Sequence, residues 1–282
     1  MRKKFGVLGR HREGGVLSSV LDKLAAILRR DLMSAIRHRS GFVVTLLGLF
    51  TELAAFYYLS RAIGPGFRPD GVAYFPFLLV GTGLYTFFVM SAQAFLSAVQ
   101  DAQQTGTLEV LMTTSTAPAE LIILSAISAF GGTLVNLVVY IFSGVFIFRA
   151  AVHANLLSCL VVLIFSLAIA LAIGIFAATF QVAFQKGSAL IWLIGSGLWL
   201  LSGATFPVQS LPEPLVMLAR VVPFTYAIDG MRAALLEGQS LAAMAPTVIG
   251  LALSAAILLP LALLGLSVSL RRARQFGTLS FY

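Results

Sequence analysis

Charge is what this chain has least of. Asp, Glu, Lys and Arg make up 11% of its 282 residues, where soluble domains carry about 25%, so water is not the solvent for most of its surface. Cysteine is nearly absent too. Cys159 stands alone inside an apolar run, which excludes an internal disulfide or a thiolate metal cluster and leaves helix packing as its role. No Gly-rich loop ending in Gly-Lys-Ser or Gly-Lys-Thr occurs, so no Walker-type phosphate cradle is encoded. The first forty residues are basic and lack an early apolar core, which argues against a cleavable signal peptide.

What is present is apolar. Hydrophobic residues form 59% of the chain, and its mean hydropathy is +0.96. A spanning helix takes roughly 20 apolar residues, and apolar runs at about 41–63, 74–98, 119–148, 155–180, 188–203 and 246–270 supply six spans. The net charge of +8 does not point to nucleic acid, because the basic residues sit at the ends. Anionic lipid headgroups and topology signalling account for them. Ten Lys and Arg precede the first span, Lys186 lies in a turn, and Arg271, Arg272 and Arg274 follow the last. Arg61, Arg68, Arg149, Arg220 and Arg232 fall on the other side. That asymmetry predicts both termini in the cytosol.

Ahead of the first span, Leu17, Val20, Leu21, Leu24, Ile27, Leu28 and Leu32 recur at helical spacing, with Asp22, Lys23, Arg29, Arg30 and Arg37 on the other face. This predicts an amphipathic helix along the inner membrane surface, or one packed on another protein. Residues 1–40 thus form a tail and interfacial helix, 41–270 the transmembrane domain and 271–282 a second cytosolic tail.

Four features inside the transmembrane domain stand out. Glu52 sits near the middle of the first span, where a carboxylate costs roughly 2.5–3.5 kcal/mol; it is either a proton relay or substrate contact, or an acid making one interhelical hydrogen bond. Ser125, Ala129, Gly132, Asn136, Tyr140 and Ser143 make a small and polar stripe along the third span, fit for close packing or for one wall of a path. Residues 100–117 are a polar island between apolar runs, and 204–232 are too broken by proline to span and too apolar for a solvated loop. Two short helices dipping back into the membrane fit the latter. Aromatics Phe56, Tyr57, Tyr58, Tyr74, Phe75, Phe77, Tyr85, Phe87 and Phe88 fall near the outer half of the first two spans, as an interfacial belt or a substrate contact.

Gly106-Thr107-Leu108-Glu109, a few residues after the second of six spans and followed by Pro118, resembles the coupling-helix region of type-2 ABC exporter permeases. Phe206-Pro207 through Leu211-Pro212-Glu213 to Pro223-Phe224-Thr225-Tyr226-Ala227 and Arg232 resembles their re-entrant stretch. The sequence departs from the family pattern at Asp101 and Gln104, where a glutamate and a basic residue are common, and in Thr113-Thr-Ser-Thr-Ala-Pro118, where Thr-Pro is common.

The resemblance implies an all-α integral membrane protein: six transmembrane helices with an N-terminal amphipathic interfacial helix, a cytosolic coupling helix and a re-entrant outer segment. It implies a permease that is not itself an enzyme and binds no cofactor, with ATP and Mg on a partner. The partners would be two copies of a cytosolic ABC ATPase, a second permease copy in a homodimer, and membrane lipids. Coupling would fall to Thr107, Leu108, Glu109, Leu111 and Met112, and a re-entrant gate to Phe206, Pro207, Pro223, Phe224 and Tyr226. Glu52, Tyr57, Tyr85 and Asn136 would line a substrate path for a lipid, a lipid-linked glycan or polysaccharide, or a hydrophobic drug. A proton-coupled carrier working through Glu52 and a non-transporting membrane scaffold are the alternatives.

Overall fold

A computed structural model of the chain describes residues 39–105, 118–184 and 187–276. Among these, every regular element is helical: α1 (Arg39–Ile63), α2 (Tyr74–Gln104), α3 (Pro118–Phe146), α4 (Leu156–Phe184), α5 (Gly187–Leu201), α6 (Glu213–Ala219), α7 (Pro223–Leu235) and α8 (Ala245–Phe276), with single 3-10 turns at Pro69–Gly71 and Val208–Ser210. Four are long and apolar enough to cross a membrane: Val43–Ile63 of α1, all of α2, all of α4, and Ala245–Ala273 of α8. The apolar stretch described in α3 is Phe130–Phe146. At 15 residues, α5 is about 22 Å long, short of the roughly 30 Å hydrocarbon core.

The breaks follow local chemistry. The turn after α1 holds Gly64 and Gly71 at φ of 93° and 80°, a left-handed backbone that favours glycine. α7 opens on Pro223 at its first turn, where a missing N–H costs nothing. Serine and threonine inside the spans turn their protons back on their own helix: Thr82 donates to the Leu78 carbonyl at 2.6 Å, Ser91 to Phe87 at 2.6 Å and Thr179 to Ile175 at 2.7 Å. Such local bonds let hydroxyls sit in apolar surroundings.

The turns gather at the two ends of the bundle. Tyr74 donates to the Thr205 carbonyl at 3.2 Å, and the His153 and Asn155 amides donate to the carbonyls of Leu235 and Ala234. Residues 64–73, 147–155 and 202–244 therefore share one end. α4 and α8 run side by side in the same sense, since Gly230 meets both Val162 and Thr247 near their starts, and Ser269 donates to the Thr179 carbonyl far along.

α2 is the hub: 78% of its most apolar window is buried, against 6% for α1 and 17% for α8. Phe77, Leu78, Leu79, Val80, Phe88 and Phe95 are all at or near zero exposure. α1 leans on the bundle mainly through Leu49 and Leu53, leaving Val43, Val44, Leu47 and Tyr58 exposed.

Two boundaries differ from the sequence reading. α2 continues to Gln104, so the first part of the polar island is the end of a long helix, tied in by a buried side chain (Gln103, below). α8 continues to Phe276, so Arg271 and Arg272 ride on the last spanning helix. The expected interfacial helix (1–38) and residues 277–282 lie outside the described residues.

Candidate functional site

Three places carry the polar chemistry of the described chain. The first is the base of α2, where it enters the stretch expected to couple. Gln103 is 2% exposed, and its side-chain oxygen accepts a 2.9 Å hydrogen bond from Gln181 Nε2 of α4. The Thr105 hydroxyl and amide both bond the Asp101 carbonyl, closing the helix. Thr107, Leu108, Glu109, Leu111 and Met112 themselves lie outside the described residues.

The second is the opposite end, where α5, α6 and α7 meet α2. Arg232 of α7 is 5% exposed and lies with its guanidinium 3.4 Å from the centroid of the Phe77 ring. Its Nη2 donates to the carbonyls of Phe77, Gly203 and Ala204 at 3.1, 2.9 and 3.0 Å. Asp229 sits one helical turn away at 3.6 Å. A buried cation on the C-terminal side of α5 also suits the partial negative charge of that helix end. Gly81 makes room for this arrangement, since a Cβ there would overlap the Ala204 oxygen and the Arg232 guanidinium.

The residues expected to gate fall around this clamp. Phe224 stacks on Phe88 with centroids 4.2 Å apart and planes at 9°. Phe206 meets Trp199 edge-on. Pro207 caps the Val208–Ser210 turn, Pro223 starts α7 and Tyr226 packs beside Gly250. Meanwhile α6 and its exit leave Met217, Leu218 and Val221 exposed, an apolar surface on a short helix.

The third place is a groove of about 410 Å³ between α1, α2 and α3, lined by Thr45, Glu52, Thr86, Thr133, Asn136 and Tyr140 among apolar side chains. Glu52 of α1 lies against Tyr140 of α3, and the Tyr140 hydroxyl lies 3.0 Å from that of Thr82. Of the four residues expected on a substrate path, the fold brings Glu52 and Asn136 together here. It does not join the other two to them. Tyr57 packs with Phe75 and Phe148 at ring distances of 5.5 Å, and Tyr85 faces α5, donating to the Gly195 carbonyl at 2.8 Å. The stripe on α3 divides in the same way. Tyr140, beside Thr82 of α2, and Ser143 are buried, whereas Gly132 and Asn136 are exposed; the side chains of Ser125 and Ala129 lie outside those described.

Sequence reasoning missed the Arg232 clamp, the Gln103–Gln181 bond and the Tyr140 partner of Glu52. Phe75, Phe77, Phe87 and Phe88 are buried, so these aromatics pack the interior and form no belt. The one available signal was a lone arginine next to a proline-broken apolar segment.

A family model described as ABC-2 type transporter matches residues 22–236. No curated protein matches the chain.

Proposed function

The chain belongs to the ABC-2 type transporter family, and we propose that it is the transmembrane permease subunit of an ATP-driven exporter, with hydrolysis on a separate cytosolic ATPase that holds ATP and Mg. The family match over most of the chain carries this reading, and the apolar helices of a multi-pass membrane protein agree with it. In this reading the spans number six: the four long helices, α3, and α5 completed by the α6–α7 return. The termini are cytosolic, and residues 204–232 form a re-entrant gate in the outer leaflet. Two permease copies pair, and each presents Thr107, Leu108, Glu109, Leu111 and Met112 to one ATPase. Free energy passes through that contact only because it differs between ATPase states. The cargo is an amphiphile, either a lipid or lipid-linked glycan or a hydrophobic drug.

The test is purification in a gentle detergent from the native membrane, with mass spectrometry of what accompanies the chain. A stoichiometric soluble subunit bearing a Walker motif is expected. Its absence from a complex shown to survive the detergent would overturn the reading.

A further inference from the structure

The groove between α1, α2 and α3 has a chemical bias that its apolar lining hides. Its polar groups include a carboxyl at Glu52 and an exposed amide at Asn136. Glu52 presents its carboxyl group to the same groove. Asn136 is exposed on the groove wall, with no hydrogen bond to another described residue, in a helix that also exposes Val135, Val138, Phe142 and Phe146. An amide so placed in a membrane needs a partner.

Charge points the same way. Among the described residues, the only Lys or Arg inside the four candidate spans are Arg61, Arg271 and Arg272, all at span ends. Arg61 is nine residues beyond Glu52, about 13 Å along the helix, with its guanidinium over the Tyr57 ring. Among the described residues no Lys or Arg lines the groove beside Glu52, while the aromatic residues Phe87 and Tyr140 do. The groove runs along α1 from Glu52 to Val44, about 12 Å, between Leu49, Leu137 and Met90, enough for a short apolar tail.

We propose that this groove binds an amphiphile through a protonated amine, with Glu52 and Asn136 accepting from the ammonium and the apolar walls of α1 and α2 holding the tail. The proposal rests on the permease reading only in taking the bound molecule as cargo. It narrows the cargo to a hydrophobic amine.

The test uses the full chain in nanodiscs without any ATPase, so it can fail while the permease reading stands. Two probes share a pyrenebutyl body: one ends in a primary ammonium, the other in a methyl ether. Saturable binding of the ammonium probe is expected, at least ten times tighter than that of the ether. Glu52→Gln should weaken the ammonium probe about tenfold and leave the ether unchanged. Met90→Trp, at an exposed position on the rim, should weaken both while the protein stays monodisperse. Equal binding of the two probes, a Glu52→Gln variant that binds ammonium as wild type does, or insensitivity to Met90→Trp would each overturn the proposal. So would a change in oligomeric size on Glu52→Gln without probe binding, which would give the groove to a second copy of the chain.

Discussion

Arg232 joins three segments by addressing their backbone. Its guanidinium, carried on α7, donates to carbonyls at the start of α2 and just past the end of α5. Removing it would leave buried carbonyls without donors, at about 1–3 kcal/mol each. Arg232→Met is therefore expected to lower stability by several kcal/mol, read as a fall in unfolding temperature by heating and size-exclusion chromatography. Arg232→Lys should recover only a fraction, because one ammonium cannot reproduce a planar fork. If Lys restores the full value, charge alone matters and the geometry does not. Gly81→Ala tests the same junction from the other side: the added methyl would meet the Ala204 oxygen, and overpacking of this kind costs typically 1–3 kcal/mol. A variant as stable as wild type would show that the α2–α5 contact is looser than described.

At the scale of the element, α5 is the helix whose length decides the topology. It is too short to cross alone, and α6 and α7 continue it at the end shared with residues 64–73. In a Cys159→Ala background, Ser210→Cys and Gly66→Cys are thus expected to react with a membrane-impermeant maleimide from one side, and Arg272→Cys from the other. Labelling of Ser210→Cys from the Arg272 side would refute the re-entrant reading. The helix edges were legible in the sequence because hydropathy and breakers set them: Ile63 before Gly64-Pro-Gly66, Tyr74 after the turn, Leu156 after Asn155. What was not legible depends on contacts between distant segments. Arg232 and Phe77 are 155 positions apart, and in sequence Arg232 marks the re-entrant stretch and an outer charge but not its contact with α2. Gln103 and Gln181, 78 positions apart, read as polar residues at span ends, yet their bond carries α2 helical through the start of the polar island. Glu52 was found because a carboxylate in a span is conspicuous; Tyr140, its partner, was hidden in a stripe that explained itself as packing.

For the whole molecule, the question is how events at the cytosolic mouth would reach the far end. α2 is the physical candidate, since it runs from the Arg232 clamp at Phe77 to the Gln103–Gln181 bond beside the expected coupling segment. A rigid, buried helix held at both ends transmits displacement well, because close-packed interiors do not deform continuously. Under the proposed function, Glu109→Arg should abolish export and reduce ATPase co-purification at least tenfold, with insertion and unfolding temperature unchanged. Gln181→Leu should act differently. It leaves the docking segment intact but leaves a buried amide oxygen unpaired, so ATPase binding persists while cargo-stimulated hydrolysis falls. Reconstitution of each variant with the ATPase in proteoliposomes separates the two effects, by bound subunit and by hydrolysis with and without cargo. If Gln181→Leu loses the ATPase as Glu109→Arg does, the Gln103–Gln181 bond merely shapes the docking surface. If it alters neither, motion reaches the gate by a route other than α2.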